Sequence, residues 1–597
     1  MHPEDVRELP MDVVLRVTAL LDPRVARLVS RGVRDALDAT EVTELDLRWR
    51  GPPRAQGPPA AQLKTIRGLL SAGRVSRLSR VSLDELGAHA QRGCRLADGL
   101  LDALPSRGPR CRLLQLSIRL INRLARPPEP LGAVLRAHAG SLERLDVPEV
   151  FLTGKEDGRR LEDDLLRGLR SLPLLRSLAV GVGGLSALPP LVEALVGSGA
   201  AGRLERLELD LPVVLPDRSA HLLNDALSSM PSLRILAIRS MWLPSPPSGA
   251  YTLTALARLT ALNSLDLEGA QLGPFFAGGH PTTPPLTALR SLRVRRLCDP
   301  PDSVPVEVLS ALSGLTRLEL RDDVGWLSPP TPLPATQCDP AALLPNLAVL
   351  RSGRLAATLL AHPGSLPSLT HLSYFSNSLC RTVQELLPRR LPTMPKLASL
   401  ALMRSRDHTA CVPHLGLPRE LPGGITRLVA GWPQVATSRT SWWQALLAPA
   451  LSPSGLVHLE IYFDTDLWPV TSTPFRGLPS LTSLNITVAS TVRLPAASYA
   501  TLGESLRHLG RLAELELEFN TSSLDGLRGF LRAAGAHAAA GRPVRRVVLT
   551  KARLHSETLL WSDYALADTS SLAEECRRAF PAARAEFRTT RGSTVRY

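Results

Sequence analysis

The feature that most constrains this chain is a short aliphatic string, LxxLxL, that returns again and again along it. Clear copies are LERLDV from Leu142, LERLEL from Leu204, LRILAI from Leu233 and LNSLDL from Leu262. Four more are LRSLRV from Leu289, LTRLEL from Leu315, LTSLNI from Leu481 and LAELEL from Leu512. Degenerate copies start at Val42, Val75, Leu113, Leu175, Leu347, Leu369, Leu397, Ile425, Leu456 and Val544. One such string is what any buried strand or helix could carry. Eighteen starts, about 30 residues apart on average, are not. The alternating LxL part predicts a short strand with its leucines on one face. No such strand is stable alone, so the strands must stack side by side into a parallel sheet that buries the leucines continuously.

The intervening stretches carry the chain back. Ser219–Met230 sets Leu222, Leu223, Ala226, Leu227 and Met230 on one side of a helix, and Leu161–Leu172 does the same with Leu161, Leu165, Leu169 and Leu172. Others, such as Pro329–Pro340, hold too many prolines to be helical throughout and are expected to be extended loops. Across residues 42–555 the chain resembles the leucine-rich-repeat family, with LxxLxL as the matching feature. The resemblance implies an α/β leucine-rich-repeat solenoid, a horseshoe with the parallel sheet on its concave face. The family's ninth-position Asn, which ties neighbouring repeats, stands in only two good copies, Asn377 and Asn520.

Residues 1–41 read as a separate, small all-α module. Leu9-Pro10 puts proline in a first helical turn, where its missing N–H costs nothing. Val13, Val14, Val17, Leu20 and Leu21 form an aliphatic stripe at helical spacing, and Asp22-Pro23 ends it. Together with Val29-Ser30-Arg31 this start resembles an F-box. That resemblance implies a domain that docks on the Skp-like adaptor of a cullin-containing, SCF-type ubiquitin ligase. Leu9, Pro10, Val13, Val14, Val17, Leu20 and Leu21 would then form the adaptor interface or its supporting core. The alternative is an amphipathic helix that only caps the first repeat, which leaves a leucine-rich-repeat scaffold with no ligase role. Residues 556–597 are expected to form a carboxyl-terminal cap and tail. Ser571 and Glu574 form a capping-box pair before a helix ending at Phe580-Pro581, and the tail is polar and loose from Arg588.

Composition removes several functions. The net charge is +15, yet only Lys64, Lys155, Lys396 and Lys551 are lysines among 70 basic residues, and 55 acidic ones are interspersed. Arginine bias with mixed signs describes a solvated surface rather than a nucleic-acid groove. The seven cysteines are scattered without CxxC pairs, which points to a reducing compartment, cytoplasmic or nuclear. No signal peptide or membrane span is expected. Neither a phosphate-binding loop, a nucleophile elbow nor a HExxH string is present, so no catalytic residue, cofactor or metal is expected. His408, Cys411 and His414, with Asp407, make the nearest approach to a ligand set, and read better as single loop residues.

Binding is expected at motif positions two, three, five and seven, whose side chains point away from the leucines. From Leu289 these are Arg290, Ser291, Arg293 and Arg295, a basic set; from Leu512 they include Glu514, Glu516 and Glu518, an acidic set. The repeat from Leu204 mixes both signs, with Glu205, Arg206, Glu208 and Asp210. Such a patchwork suits protein partners of complementary charge. Trp432, Trp442 and Trp443, close to strand ends or in returns, are added as candidate aromatic anchors.

Overall fold

Stacking leaves its signature in the register. The computed structural model describes residues 44–49, 79–85, 112–120, 130–152, 159–182, 187–211, 217–240, 254–271, 288–296, 312–320, 344–353, 366–376, 390–404, 424–431, 455–463, 478–488, 496–519, 524–538, 544–551, 574–589 and 594–596, with a few single positions between them. It divides into two units, Met1–Leu289 and Arg290–Tyr597. Each is a repeat-built α/β structure on a parallel sheet.

In the first unit the strands are β1 (Glu44–Trp49), β2 (Arg80–Glu85), β3 (Gln115–Leu120), β4 (Arg144–Leu152), β5 (Ser177–Val182), β6 (Arg206–Leu211), β7 (Ile235–Ser240) and β8 (Ser264–Gln271). They pair in chain order, every pairing parallel. Leu116, Leu145, Leu178, Leu207, Leu236 and Leu265 stand opposite one another, each at most 2% exposed. A fully buried leucine contributes about 2 kcal/mol, so the leucine column is the spine of the unit.

The returns pack on the leucine side as helices α1 (Leu131–Ala137), α2 (Arg159–Arg170), α3 (Leu188–Gly197) and α4 (Asp217–Ser228). Each helix contacts the next. Leu165, Leu169 and Leu172 are buried in and just after α2, as are Leu223, Ala226, Leu227 and Met230 in and just after α4, matching the sequence expectation. Pro189 and Pro190 sit in the first turn of α3, where proline is tolerated. A buried amide joins successive returns: Asn224 Oδ1 accepts from the Ala255 N–H at 3.1 Å.

The second unit begins with β9 (Ser291–Arg296), β10 (Arg317–Leu320), β11 (Val349–Arg351), β12 (His371–Ser376), β13 (Ser399–Arg404) and β14 (Arg427–Gly431). It continues with β15 (His458–Phe463), β16 (Ser483–Val488), β17 (Glu514–Phe519), β18 (Arg546–Lys551) and β19 (Arg584–Thr589), all parallel and in chain order. β20 (Thr594–Arg596) closes the run antiparallel to β19. Helices α5 (Ala496–Ser505) and α6 (Leu524–Ala538) pack so closely that a Cβ on Gly503 would lie 2.5 Å from the Phe530 carbonyl oxygen, and one on Gly526 would strike the Tyr499 ring.

Neighbouring repeats are tied by backbone rather than by an asparagine ladder among the described residues. The N–H groups of positions two and three both donate to the position-two carbonyl of the repeat before. Arg176 and Ser177 converge on Glu143 O at 2.8 and 3.0 Å; Thr426 and Arg427 converge on Ala398 O at 2.9 and 3.0 Å. Such forks satisfy donors that the end of a short strand would otherwise leave orphaned. Asn377 and Asn520 lie outside the described residues.

Two sequence expectations change. The second repeat starts at Leu78, not Val75, because Val81 and Leu83 stand opposite Leu45 and Leu47. A Val75 start would place Arg80 at a core position, whereas Arg80 is exposed. Secondly, the sheet runs past residue 555. Ala585 and Phe587 pair with Val547 and Leu549, and the tail from Arg588 joins the β19–β20 hairpin instead of lying loose. Backbone pairing holds this end although its repeat carries no leucine. Helical backbone at 574–579 precedes it, and Phe580 is buried. Ser571 and the whole of residues 1–41 fall outside the described residues. Among the described residues no helix is long and apolar enough to cross a membrane.

Candidate protein-binding face

On the side opposite the leucines, motif position five forms one column per unit. In the first unit it reads Asp46, Ser82, Ser117, Asp146, Ala179, Glu208, Ala237 and Asp266. Strands ~4.8 Å apart crowd these side chains against each other, and several are covered: Ser117, Asp146 and Glu208 are all below 9% exposed. Burying a carboxylate demands partners. Ser117 Oγ donates to Asp146 at 3.3 Å. Glu208 accepts from Arg206 Nε at 2.6 Å and pairs with Arg239 at 3.2 Å, and Arg239 reaches on to Asp266 at 3.8 Å. Acids and bases thus alternate along this chain of contacts.

The second unit uses the same RLEL strand differently. Its position-five column runs Arg293, Glu319, Arg351, Ser373, Ala401, Val429, Glu460, Asn485, Glu516, Val548 and Glu586. Glu319, 5% exposed, lies between two arginines of the column and receives a third from its own strand. Arg317 Nε donates to it at 2.8 Å, Arg293 approaches at 3.5 Å and Arg351 at 3.7 Å. Three guanidiniums thus surround one buried carboxylate. Their side chains remain 30%, 50% and 43% exposed for Arg293, Arg317 and Arg351.

The rim at position two differs as well. In the first unit Glu143, Arg176, Glu205 and Arg234 alternate in sign along a shallow trough of about 490 Å³, with Arg176 and Glu205 paired at 3.2 Å. In the second unit the corresponding residues include Thr316, Thr370, Thr426 and Thr482. Each hydroxyl donates to the preceding repeat's position-two carbonyl, at 3.0 to 3.3 Å.

The structure places the expected binding residues as follows. Arg290 is exposed and donates to Gly314 O at 2.8 Å; Arg293 belongs to the three-arginine cluster; Arg295 occupies position seven of β9. Glu514 is exposed at the head of β17, and Glu516 and Glu518 are half-buried beside β18. The basic and acidic sets stand eight strands apart in the sheet, about 40 Å. They form two locations rather than one site. Leu9, Pro10, Val13, Val14, Val17, Leu20, Leu21, Trp432, Trp442 and Trp443 lie outside the described residues, as do Asp407, His408, Cys411 and His414. Arg317, Glu319 and Arg351 were not foreseen. Aligning the repeats and reading position five downward as Arg, Glu, Arg would have found them.

Nothing on the face resembles a reaction centre among the described residues. No group of acidic, His and Cys side chains could hold a metal ion there. Cys576, the cysteine described, is buried, and that burial pushes its thiol up to about 12, so almost none is thiolate at neutral pH. Comparison with known protein families finds no match, and comparison with curated proteins finds none either.

Proposed function

We propose that this chain is a leucine-rich-repeat scaffold that binds protein partners on its open strand face. We further take it to be the substrate-recognition subunit of an SCF-type ubiquitin ligase, with residues 9–31 docking a Skp-like adaptor. The observation that carries the scaffold reading is the open face itself. Side chains at positions three, five and seven recur in columns, repeat after repeat, over buried leucines that fix their spacing. A surface of that kind is wide, rigid and chemically varied, which suits protein recognition. The adaptor reading rests on the Leu9-Pro10 start, the aliphatic stripe and Val29-Ser30-Arg31. In it, ubiquitin transfer belongs to the partners, and this chain contributes proximity.

A second reading keeps the scaffold and drops the ligase. Among the described residues β1 pairs with β2 alone, so the leading edge of the sheet needs cover, which an amphipathic helix supplies. Pull-down with a Skp-like adaptor separates the two. Adaptor capture by the full chain, lost on Leu9→Ala with Pro10→Ala, supports the ligase role. No capture, together with faster hydrogen exchange in β1 when residues 1–41 are removed, supports the cap.

A further inference from the structure

The rim trough of the first unit sets cations without partners beside apolar side chains. Its lining comes mainly from motif position two and from the residues just before each motif. At position two, Arg176 and Glu205 pair at 3.2 Å and cancel. Arg203 and Arg234 are exposed, and among the described residues neither guanidinium forms a hydrogen bond or an ion pair. Arg203 ends the single helical turn Ala201–Arg203 before β6, and Arg234 stands at the head of β7. Two guanidiniums on neighbouring repeats thus line one recess without a counter-ion. Leu174, Pro231 and Ala261 add apolar surface around them. Gly202 leaves the middle open, since a Cβ built there would meet nothing within 4 Å.

The backbone of this rim is already engaged. The N–H groups of Glu205 and Arg206 both donate to Arg176 O, and those of Arg234 and Ile235 both donate to Glu205 O, at 2.7 to 3.0 Å. Recognition therefore falls to side chains, and a guanidinium presents about five N–H donors in a planar fork that fits a carboxylate. At the β4 end of the trough Glu143 is exposed and, among the described residues, has no ion-pair partner. It repels an acid, so an acidic ligand is directed to the Arg203–Arg234 end. A recess of about 490 Å³ takes more than a single inorganic anion. Nucleic acid needs a longer run of cationic contacts than two adjacent repeats provide. From this geometry we infer that the trough is the docking site for an extended segment of a partner protein that carries two adjacent acidic residues among aliphatic or proline ones. The acids meet Arg203 and Arg234, and the apolar side chains lie against Leu174, Pro231 and Ala261. The inference rests on the scaffold reading and places one partner on the rim beside the open face. It is independent of adaptor docking, which involves residues 9–31.

The test is fluorescence anisotropy with the full chain and a labelled peptide in which two glutamates stand between leucine–proline pairs. Its glutamine counterpart and a single-stranded DNA serve as comparison probes. The glutamate peptide should bind the wild-type chain, more weakly as salt rises, and the glutamine peptide should not. Arg203→Gln with Arg234→Gln should weaken binding about tenfold, the scale of one or two charge-assisted contacts. Gly202→Leu keeps both arginines, puts a side chain into the open middle of the trough, and should weaken binding to a similar extent. Arg317→Gln, in the second unit, should leave it unchanged. Circular dichroism establishes that each variant is folded, and should Gly202→Leu unfold, the exposed arginine pair still decides the question. Equal binding of the glutamate and glutamine peptides would overturn the inference. So would wild-type affinity in the double arginine variant or in folded Gly202→Leu, an equal loss in Arg317→Gln, or DNA bound as tightly as the peptide at the same salt. Failure here leaves the open face and the adaptor reading standing, since both rest on other residues, and failure of adaptor capture leaves this site standing.

Discussion

The sequence Arg-Leu-Glu-Leu occurs twice as a strand, at Arg206–Leu209 in the first unit and at Arg317–Leu320 in the second, and the two copies behave alike on one face and unlike on the other. Toward the core, Leu207 and Leu318 are buried to 2% and 0% exposure and stand in equivalent leucine columns. Toward the open face, Glu208 has alanines beside it in its column, pairs with Arg206 and shares Arg239 with Asp266. Glu319 has arginines on both sides. The lesson is that the inner layer of a repeat is set by the motif, whereas the outer layer is set by which repeats are neighbours. A residue's charge environment in a stack is decided by residues some thirty positions away in sequence and one strand away in space.

The largest effects should leave the two copies indistinguishable. Leu207→Ala and Leu318→Ala each delete a buried side chain and should each cost about 3 kcal/mol in denaturant titration. A clearly smaller loss in one would show that its core layer is not equivalent. Removing the carboxylates should then split them. Glu319→Gln leaves three guanidiniums without their common partner and should cost about 2 kcal/mol, a figure reduced from that of a fully buried pair because the arginines are partly exposed. Glu208→Gln leaves Arg239 with Asp266 and should cost about 1 kcal/mol by the same comparison. Equal losses would mean that the neighbouring columns do not matter.

The helical layers offer a contrast of sign. Gly503→Ala in α5 drives a methyl into the Phe530 carbonyl and should destabilise by about 1–2 kcal/mol. Gly197→Ala, at the end of α3 with nothing within 4 Å, should stabilise by about 0.5 kcal/mol through lost unfolded-state freedom. The rim should show the smallest effects. Thr426→Val removes a hydroxyl donor to Ala398 O and should cost about 0.5–1 kcal/mol. Glu205→Gln breaks an exposed pair with Arg176 and should cost less than about 0.5 kcal/mol, with salt abolishing the difference. Thermal melts at two ionic strengths check both.

Much of the fold was legible because leucine periodicity is a local signal with a long-range consequence. Within residues 42–555 strand starts followed from LxxLxL except at the second repeat, where VSRLSRVSL offers two overlapping readings and only the opposing Leu45 and Leu47 choose between them. The last strand could not be read because Ala585 and Phe587 carry no leucine pattern; it is added by backbone pairing to β18. The basic set at Arg290, Arg293 and Arg295 was visible in sequence. Its organising carboxylate, Glu319, was not, since position five reads as solvent-facing until adjacent strands crowd over it.

The amino-acid sequence by itself determined the repeat, its spacing and the face that leucine occupies, because side-chain alternation along a strand is a property of the chain alone. The tertiary structure alone decided which charges meet. Lateral pairing brings residues of separate repeats within hydrogen-bonding reach, and the balance of attraction and desolvation there depends on every neighbour at once.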